Sequence, residues 1–120
     1  IMEAKELMEK IVSILDSKKA EDIRVIRIGD LTIIADYFVI AAGNSSTQVK
    51  MLADEVDYQL GLLGVQPHKV EGYHSENWIV LDYSDVVVHI FQQETRDFYN
   101  LERLWADGEQ VDISALLKQN

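Results

Sequence analysis

The stretch "NWIVLDYSDVVVHIF", Asn77 to Phe91, sets two carboxylates and an imidazole inside a run of Val, Ile, Leu and Phe. Such a cluster is either a metal or acid–base site or a hairpin with an acidic turn. If Leu81 and Val86 flank a tight turn, opposed residues have numbers summing to one constant. Asp82 then faces Asp85, Leu81 faces Val86, Val80 faces Val87, Ile79 faces Val88, and Trp78 faces His89. Strand alternation places Ile79, Leu81, Val86, Val88 and Ile90 on one side, which is wholly apolar and must be core. Trp78, Val80, Asp82, Asp85, Val87, His89 and Phe91 share the other side. That side is too polar for a second core and too apolar for an idle wet face. A Trp beside Val residues suits a protein contact, because large aromatics anchor interfaces.

The metal reading fails on distance. Four residues of strand separate His89 from Asp85, roughly 13 Å. Ligand bonds of about 2 Å require side chains that converge on one point. Two Asp at a turn are better explained as turn formers, whose side chains bond the local backbone. His68 and His74 stand alone, and no catalytic residue, metal or cofactor is expected.

Working outward, Ala4, Leu7, Met8, Ile11, Ile14 and Leu15 recur at helical spacing, predicting a helix over Glu3–Ser17. "DIRVIRI" (Asp22–Ile28) alternates as a strand does. "DYFVIAA" (Asp36–Ala42) is nearly continuous and apolar, as in a central strand buried on both faces. "GNSSTQ" (Gly43–Gln48) marks a strand-to-helix junction, with Ser45 and Gln48 as a capping box and Asn44 as the alternative cap. Val49, Leu52, Val56, Leu60 and Leu63 give that helix an apolar stripe, ended by Gly64 and Pro67. "HKVEG" (His68–Gly72) is a short strand. "ETRDFYNLERLW" (Glu94–Trp105) places Phe98, Leu101, Leu104 and Trp105 along one side of a further helix. The order αββαβββα predicts an α+β (α/β) domain over residues 1–106. It has a mixed five-stranded sheet, helices packed on it, and a parallel crossover through the second helix. Residues 107–120 are expected to form a short amphipathic tail, with Asp112 as its cap.

The chain has 120 residues, enough for one core without staples, and 48% are apolar, which excludes disorder. It has no Cys, so disulfides, thiolate metal sites and a cysteine nucleophile are excluded. No apolar run is long enough to span a membrane, and no secretion signal is evident; a cytoplasmic protein is expected. Asp and Glu outnumber Lys and Arg by 21 to 11, for a net charge of −10. A nucleic-acid binder needs a basic patch to displace counterions. No Lys or Arg cluster here exceeds Lys18-Lys19, so direct sequence-specific nucleic-acid binding is not expected. A basic protein partner fits this field better. The apolar patch of the hairpin is also open to a homodimer.

The Gly43–Ser46 junction could hold a phosphate on free helix N–H groups, in a nucleotide-binding enzyme using Gly43, Asn44, Ser45 and Ser46. It lacks Walker A and GxGxxG spacing, and Ser45 and Ser46 lack the G-x-S-x-G frame of a nucleophile.

Taken together, "DYFVIAAGNSS", "VEG", "WIVLDYSDVVVHIF" and "RDFYNLERLW" resemble the Iojap-like proteins, the bacterial ribosomal silencing factor family, over nearly the whole chain. The resemblance implies a nucleotidyltransferase-like fold without the chemistry. Such enzymes carry carboxylates two apart on the strand after the Gly-Ser helix start, where this chain has a single Glu71. It further implies a protein that binds the large ribosomal subunit through its protein L-fourteen. There it would block joining of the small subunit and lower translation when nutrients are scarce. Relatives act on organelle ribosomes. The family's tryptophan corresponds to Trp78. Val70-Glu71-Gly72, Asp82, Asp85 and His89 also match, as do Arg96, Tyr99, Leu101, Glu102, Leu104 and Trp105. Ser84 stands where a turn Gly is usual, and Gln93 where Pro is frequent. The expected partner-binding residues are Trp78, Val80, Val70, Glu71, Asp82 and His89.

Overall fold

Helix α1 (Ala4–Ser17) precedes the antiparallel pair β1 (Glu21–Arg27) and β2 (Tyr37–Gly43) in the computed structural model, which describes residues 2–75 and 77–118. Helix α2 (Ser46–Leu62), β3 (Lys69–Glu71), β4 (Trp78–Asp82) and β5 (Val86–Gln92) follow. Two short helices, α3 (Gln93–Tyr99) and α4 (Leu101–Leu104), lead to β6 (Glu109–Gln110) and a 3₁₀ turn at Ser114–Leu116. The described sheet has six strands in the order β3-β4-β5-β2-β1-β6, not five. The added edge strand comes from the expected tail. Gln110 pairs with Ile26, and Val111 donates its N–H to the Val25 carbonyl. Ile113 is buried in the main core, so the tail packs on its own domain. Its helical part is only the 3₁₀ turn, where the Asp112 carboxylate accepts from the Ser114 N–H.

β2 runs parallel to β5, while β4 is antiparallel to β5 and β3 to β4. β2 and β3 are therefore parallel across the two strands between them, as the crossover through α2 requires. The apolar stripes of α1 and α2 cover one face, closing a core that includes Leu7, Ile11, Leu15, Leu52, Val56, Leu60, Val39, Ile79, Val88 and Ile90. The other face carries a smaller cluster of Ile26, Ile28, Phe38, Ile40, Phe91 and Leu101. β2 is buried on both faces, which accounts for its unbroken apolar run.

The hairpin register differs from the expected one. Trp78 pairs with Phe91, Ile79 with Ile90, Val80 with His89, Leu81 with Val88 and Asp82 with Val87. The shift is two residues, so every side chain keeps its face. The turn explains the shift. Ser84 occupies the left-handed region at φ 72°, and the Asp85 N–H donates to the Tyr83 carbonyl across it. In the expected register Tyr83 would hold the first loop position. Here the smaller Ser takes the strained conformation and Tyr83 is buried in the main core.

The expected helix over Glu94–Trp105 is broken. Asn100 adopts a left-handed conformation (φ 48°, ψ 61°), ending α3, and its Oδ1 accepts from the Arg103 N–H at the start of α4. The break overturns the predicted apolar side. Leu101 turns inward, but Phe98 is 80% and Leu104 72% exposed.

Candidate protein-binding face

The second face of β4–β5 is sorted by the pairing. Trp78, Val80 and Asp82 on β4 lie beside Glu71 and Lys69 on β3, because Glu71 pairs with Val80 and Lys69 with Asp82. Val70 pairs with Leu81 and so points to the opposite face. It does not join Trp78, contrary to the expectation. Glu71 and Lys69 form an exposed ion pair at 2.9 Å. Gly72, at φ 71°, brings the end of β3 close to β4: a Cβ there would lie 2.3 Å from the Trp78 carbonyl oxygen. Glu71, Gly72, Trp78 and Val80 line a shallow groove of about 220 Å³.

His89 is not on the surface. It is 7% exposed, with its ring edge-on to Phe38 at 4.8 Å. Its Nδ1 accepts the indole N–H of Trp78 at 3.2 Å. An accepting Nδ1 is deprotonated, so the neutral ring carries its proton on Nε2. That atom is buried and has no hydrogen-bond partner among the described residues. Burial pushes the His89 pKa down to about 4, against a smaller opposing effect of Asp82. His89 therefore positions Trp78 from below rather than meeting a partner.

Trp78 is half-buried within a series of rings that sequence reading did not assemble. It stacks on Phe91 at 4.8 Å and lies 4.8 Å from Tyr99, which meets Phe98 edge-on at 5.1 Å. The rings run from the sheet interior to solvent. Phe98 and Tyr99 were hidden by the assumption of a continuous helix. The left-handed tendency of Asn was the available signal. Leaving a Phe in water forgoes about 1.5–3 kcal/mol of burial.

α3 is fixed by Arg96, which is 2% exposed. Its Nε donates to Glu102 at 3.3 Å, and its Nη2 lies 3.6 Å from Asp22. The second distance is an ion pair but too long for a hydrogen bond. Asp22 sits at the irregularity in β1, with φ 46°. Its pKa is lowered, chiefly by its hydrogen bond from Arg24, with burial acting in opposition and Arg96 adding to the lowering.

The Gly43–Ser46 junction behaves as a cap. Ser45 Oγ accepts from the Gln48 N–H at 3.1 Å, and Gln48 Oε1 accepts from the Asn44 N–H at 2.6 Å. Two of the N–H groups a phosphate would need are thus engaged. Asp82 acts as a turn former, its Oδ1 accepting from the Ser84 N–H, while Asp85 takes part through its backbone carbonyl, which accepts from the N–H groups of Asp36 and Tyr37. Among the described residues no group of three or more His, Cys, Asp or Glu could hold a metal ion. Nor is any helix among them long and apolar enough to cross a membrane.

Residues 1–120 match the family described as "Ribosomal silencing factor during starvation". The chain is 37% identical to the ribosomal silencing factor RsfS of Bacillus subtilis, covering 98% of this chain and 100% of that protein. It is 32% identical to the mouse "Mitochondrial assembly of ribosomal large subunit protein 1", covering 90% of this chain and 50% of that protein. A crystal structure from Chromobacterium violaceum aligns with a TM-score of 0.85 at 34% identity, covering 94% of this chain and 93% of that one. A Bacillus halodurans structure aligns with a TM-score of 0.80 at 35% identity, covering 90% and 98%. These relatives are named as silencing or assembly factors rather than enzymes. The chain belongs to the ribosomal silencing factor family.

Proposed function

We propose that this protein binds the large ribosomal subunit through its protein L-fourteen, in the cytoplasm, and sterically prevents the small subunit from joining. Translation then falls when nutrients are limiting. The observation that carries this reading is the face around Trp78: a half-buried aromatic held from beneath by His89 and Phe91, with Val80 beside it and the carboxylates of Glu71 and Asp82 at its margin. An apolar anchor ringed by acid suits a basic ribosomal protein, and the net charge of −10 speeds that encounter. Trp78, Val80, Glu71 and Asp82 would make the contact, while His89 holds the anchor.

The test is co-sedimentation with purified large and small subunits separately, followed by a subunit-joining assay. Binding to the large subunit alone and inhibition of joining are expected. Trp78→Ala should abolish both without unfolding the domain. Binding unchanged in the folded variant would remove the assignment of this face. The mouse relative's name favours a second reading, a large-subunit assembly factor. Binding without inhibition of joining would select it.

A further inference from the structure

Beside Trp78 lies a second, larger groove of about 460 Å³ between the loop entering β4 and helix α3. Its walls include Asn77, Trp78, Glu94, Phe98 and Tyr99. The Ser75 hydroxyl accepts from the N–H groups of Asn77 and Trp78 at 3.1 and 3.4 Å, which fixes the loop side. Three aromatic residues and an acidic one thus line one open cleft. Among the described residues, no Lys, Arg or His is paired with Glu94, and none lines the groove.

We infer that this groove receives an arginine side chain from the basic protein that docks on the Trp78 face. Arginine fits for three reasons. Its planar guanidinium stacks on aromatic faces, its fork matches a carboxylate, and its weaker hydration makes it easier to bury than lysine. The exposed Phe98 and Tyr99 would then be covered on docking, giving their exposure a purpose. The Trp78–Tyr99 contact at 4.8 Å makes the groove continuous with the proposed interface. The neighbouring concavity that shares Phe98 and Tyr99 is lined by Asp97 together with Arg103, whose own cation makes it less suited to a second one. This inference rests on the ribosome-binding reading for the identity of the partner, but the groove's chemistry is testable without the ribosome.

N-acetyl-arginine amide and N-acetyl-lysine amide are each titrated into the ¹⁵N-labelled protein. Arginine is expected to move the indole N–H of Trp78 and the amides of Glu94, Phe98 and Tyr99 at millimolar concentration, and lysine several-fold less. Phe98→Ala and Glu94→Gln should each remove most of the arginine response, with thermal midpoints confirming the fold. In co-sedimentation with large subunits, the same variants should weaken binding about three- to tenfold, and Glu94→Gln should also flatten its salt dependence. No localised arginine response overturns the inference, as do equal responses to lysine. Normal subunit binding by both variants, with Trp78→Ala inactive, overturns it while leaving the proposed function standing. A localised arginine response from a protein that binds no subunits supports the groove and overturns the ribosomal reading. If Phe98→Ala instead dissociates a homodimer and leaves subunit binding intact, the groove serves a second copy and the inference fails.

Discussion

The indole N–H of Trp78 donates to Nδ1 of His89 at 3.2 Å, although the strand register pairs Trp78 with Phe91. The bond is diagonal, from β4 to a residue two places back along β5, and it exists only while His89 is neutral. Protonated Nδ1 is a donor and would face another donor. Burial lowers the folded-state pKa to about 4, against 6.5 for the free side chain. A histidine held neutral in the fold stabilises fully above pH 6.5. Its contribution declines as pH falls from 6.5 to 4 and is constant below that. The size is on the order of 3 kcal/mol. The native protein should therefore lose stability relative to His89→Leu as pH falls, read from urea midpoints of both at pH 7, 5.5 and 4.5. Parallel curves would show that His89 is not neutral and buried. At pH 7, the freed indole of His89→Leu should also show a shifted fluorescence maximum.

Ser84 carries the one backbone strain visible in the hairpin turn, at φ 72°. Left-handed backbone costs a non-glycine residue about 1–2 kcal/mol, partly offset by the greater unfolded-state freedom that glycine brings. The Asp82 carboxylate holds the Ser84 backbone N–H, not its hydroxyl, so that bond survives substitution. Ser84→Gly should stabilise the protein by about 1 kcal/mol, measured by urea denaturation, with subunit binding unchanged. Loss of stability would mean that the hydroxyl contributes more than the strain costs.

These two residues show how much the sequence could disclose. Alternation sorted the hairpin's faces correctly, because a shift of two leaves every side chain where parity puts it. Parity cannot fix the register itself, which was set by whether Tyr83 or Ser84 enters the left-handed region. Period likewise found α1 and α2, whose stripes bury against one sheet face. It failed at Asn100, where one left-handed residue rotates Phe98 and Leu104 away from the core. β6 has two residues, too short for any periodic signal. Trp78 was legible as a member of the hairpin's second face. Parity also put His89 on that face, where the two side chains meet. The contact of Trp78 with Tyr99 was not legible, since it joins residues 21 positions apart on separate elements.

Arg96 ties that bend to the sheet. Its buried guanidinium lies between Glu102 on α4 and Asp22 on β1. Removing one member of a buried ion pair typically costs about 3–5 kcal/mol, because the remaining charges lose their partner. Glu102 and Asp22 keep some access to water, so Arg96→Met should fall near 3 kcal/mol or slightly below. Arg96→Lys should rescue little, since one ammonium cannot span two carboxylates as a guanidinium does. Chemical denaturation of the two variants checks both statements.

Asn100 is the hinge of the same bend. Asn100→Gly should be tolerated within a few tenths of a kcal/mol: it loses the Arg103 cap but suits φ 48°. Asn100→Ala keeps neither advantage and should cost about 1–2 kcal/mol. Its α3–α4 segment would also tend toward one continuous helix, which amide hydrogen exchange at Leu101–Leu104 would detect as increased protection.

Gly72 offers a way to disturb the proposed interface without touching a contact side chain. Its φ of 71° and the 2.3 Å approach of a would-be Cβ to the Trp78 carbonyl are independent obstacles to any other residue. The first costs about 1–2 kcal/mol. The second can be relieved only by backbone movement, because the obstructing atom is main chain. Gly72→Ala must therefore push the end of β3 away from β4 or turn the peptide after Trp78. Either movement displaces Glu71 relative to Val80 and reshapes the groove they share with Trp78. The domain should stay folded, since both main layers of the core lie elsewhere, but with stability lowered by roughly 2–3 kcal/mol. Binding to the large subunit should fall more than tenfold although Trp78, Val80, Glu71 and Asp82 are all present. Native affinity in a folded Gly72→Ala protein would show that the partner does not read the spacing of β3 and β4, and would confine the contact to Trp78 and the α3 side.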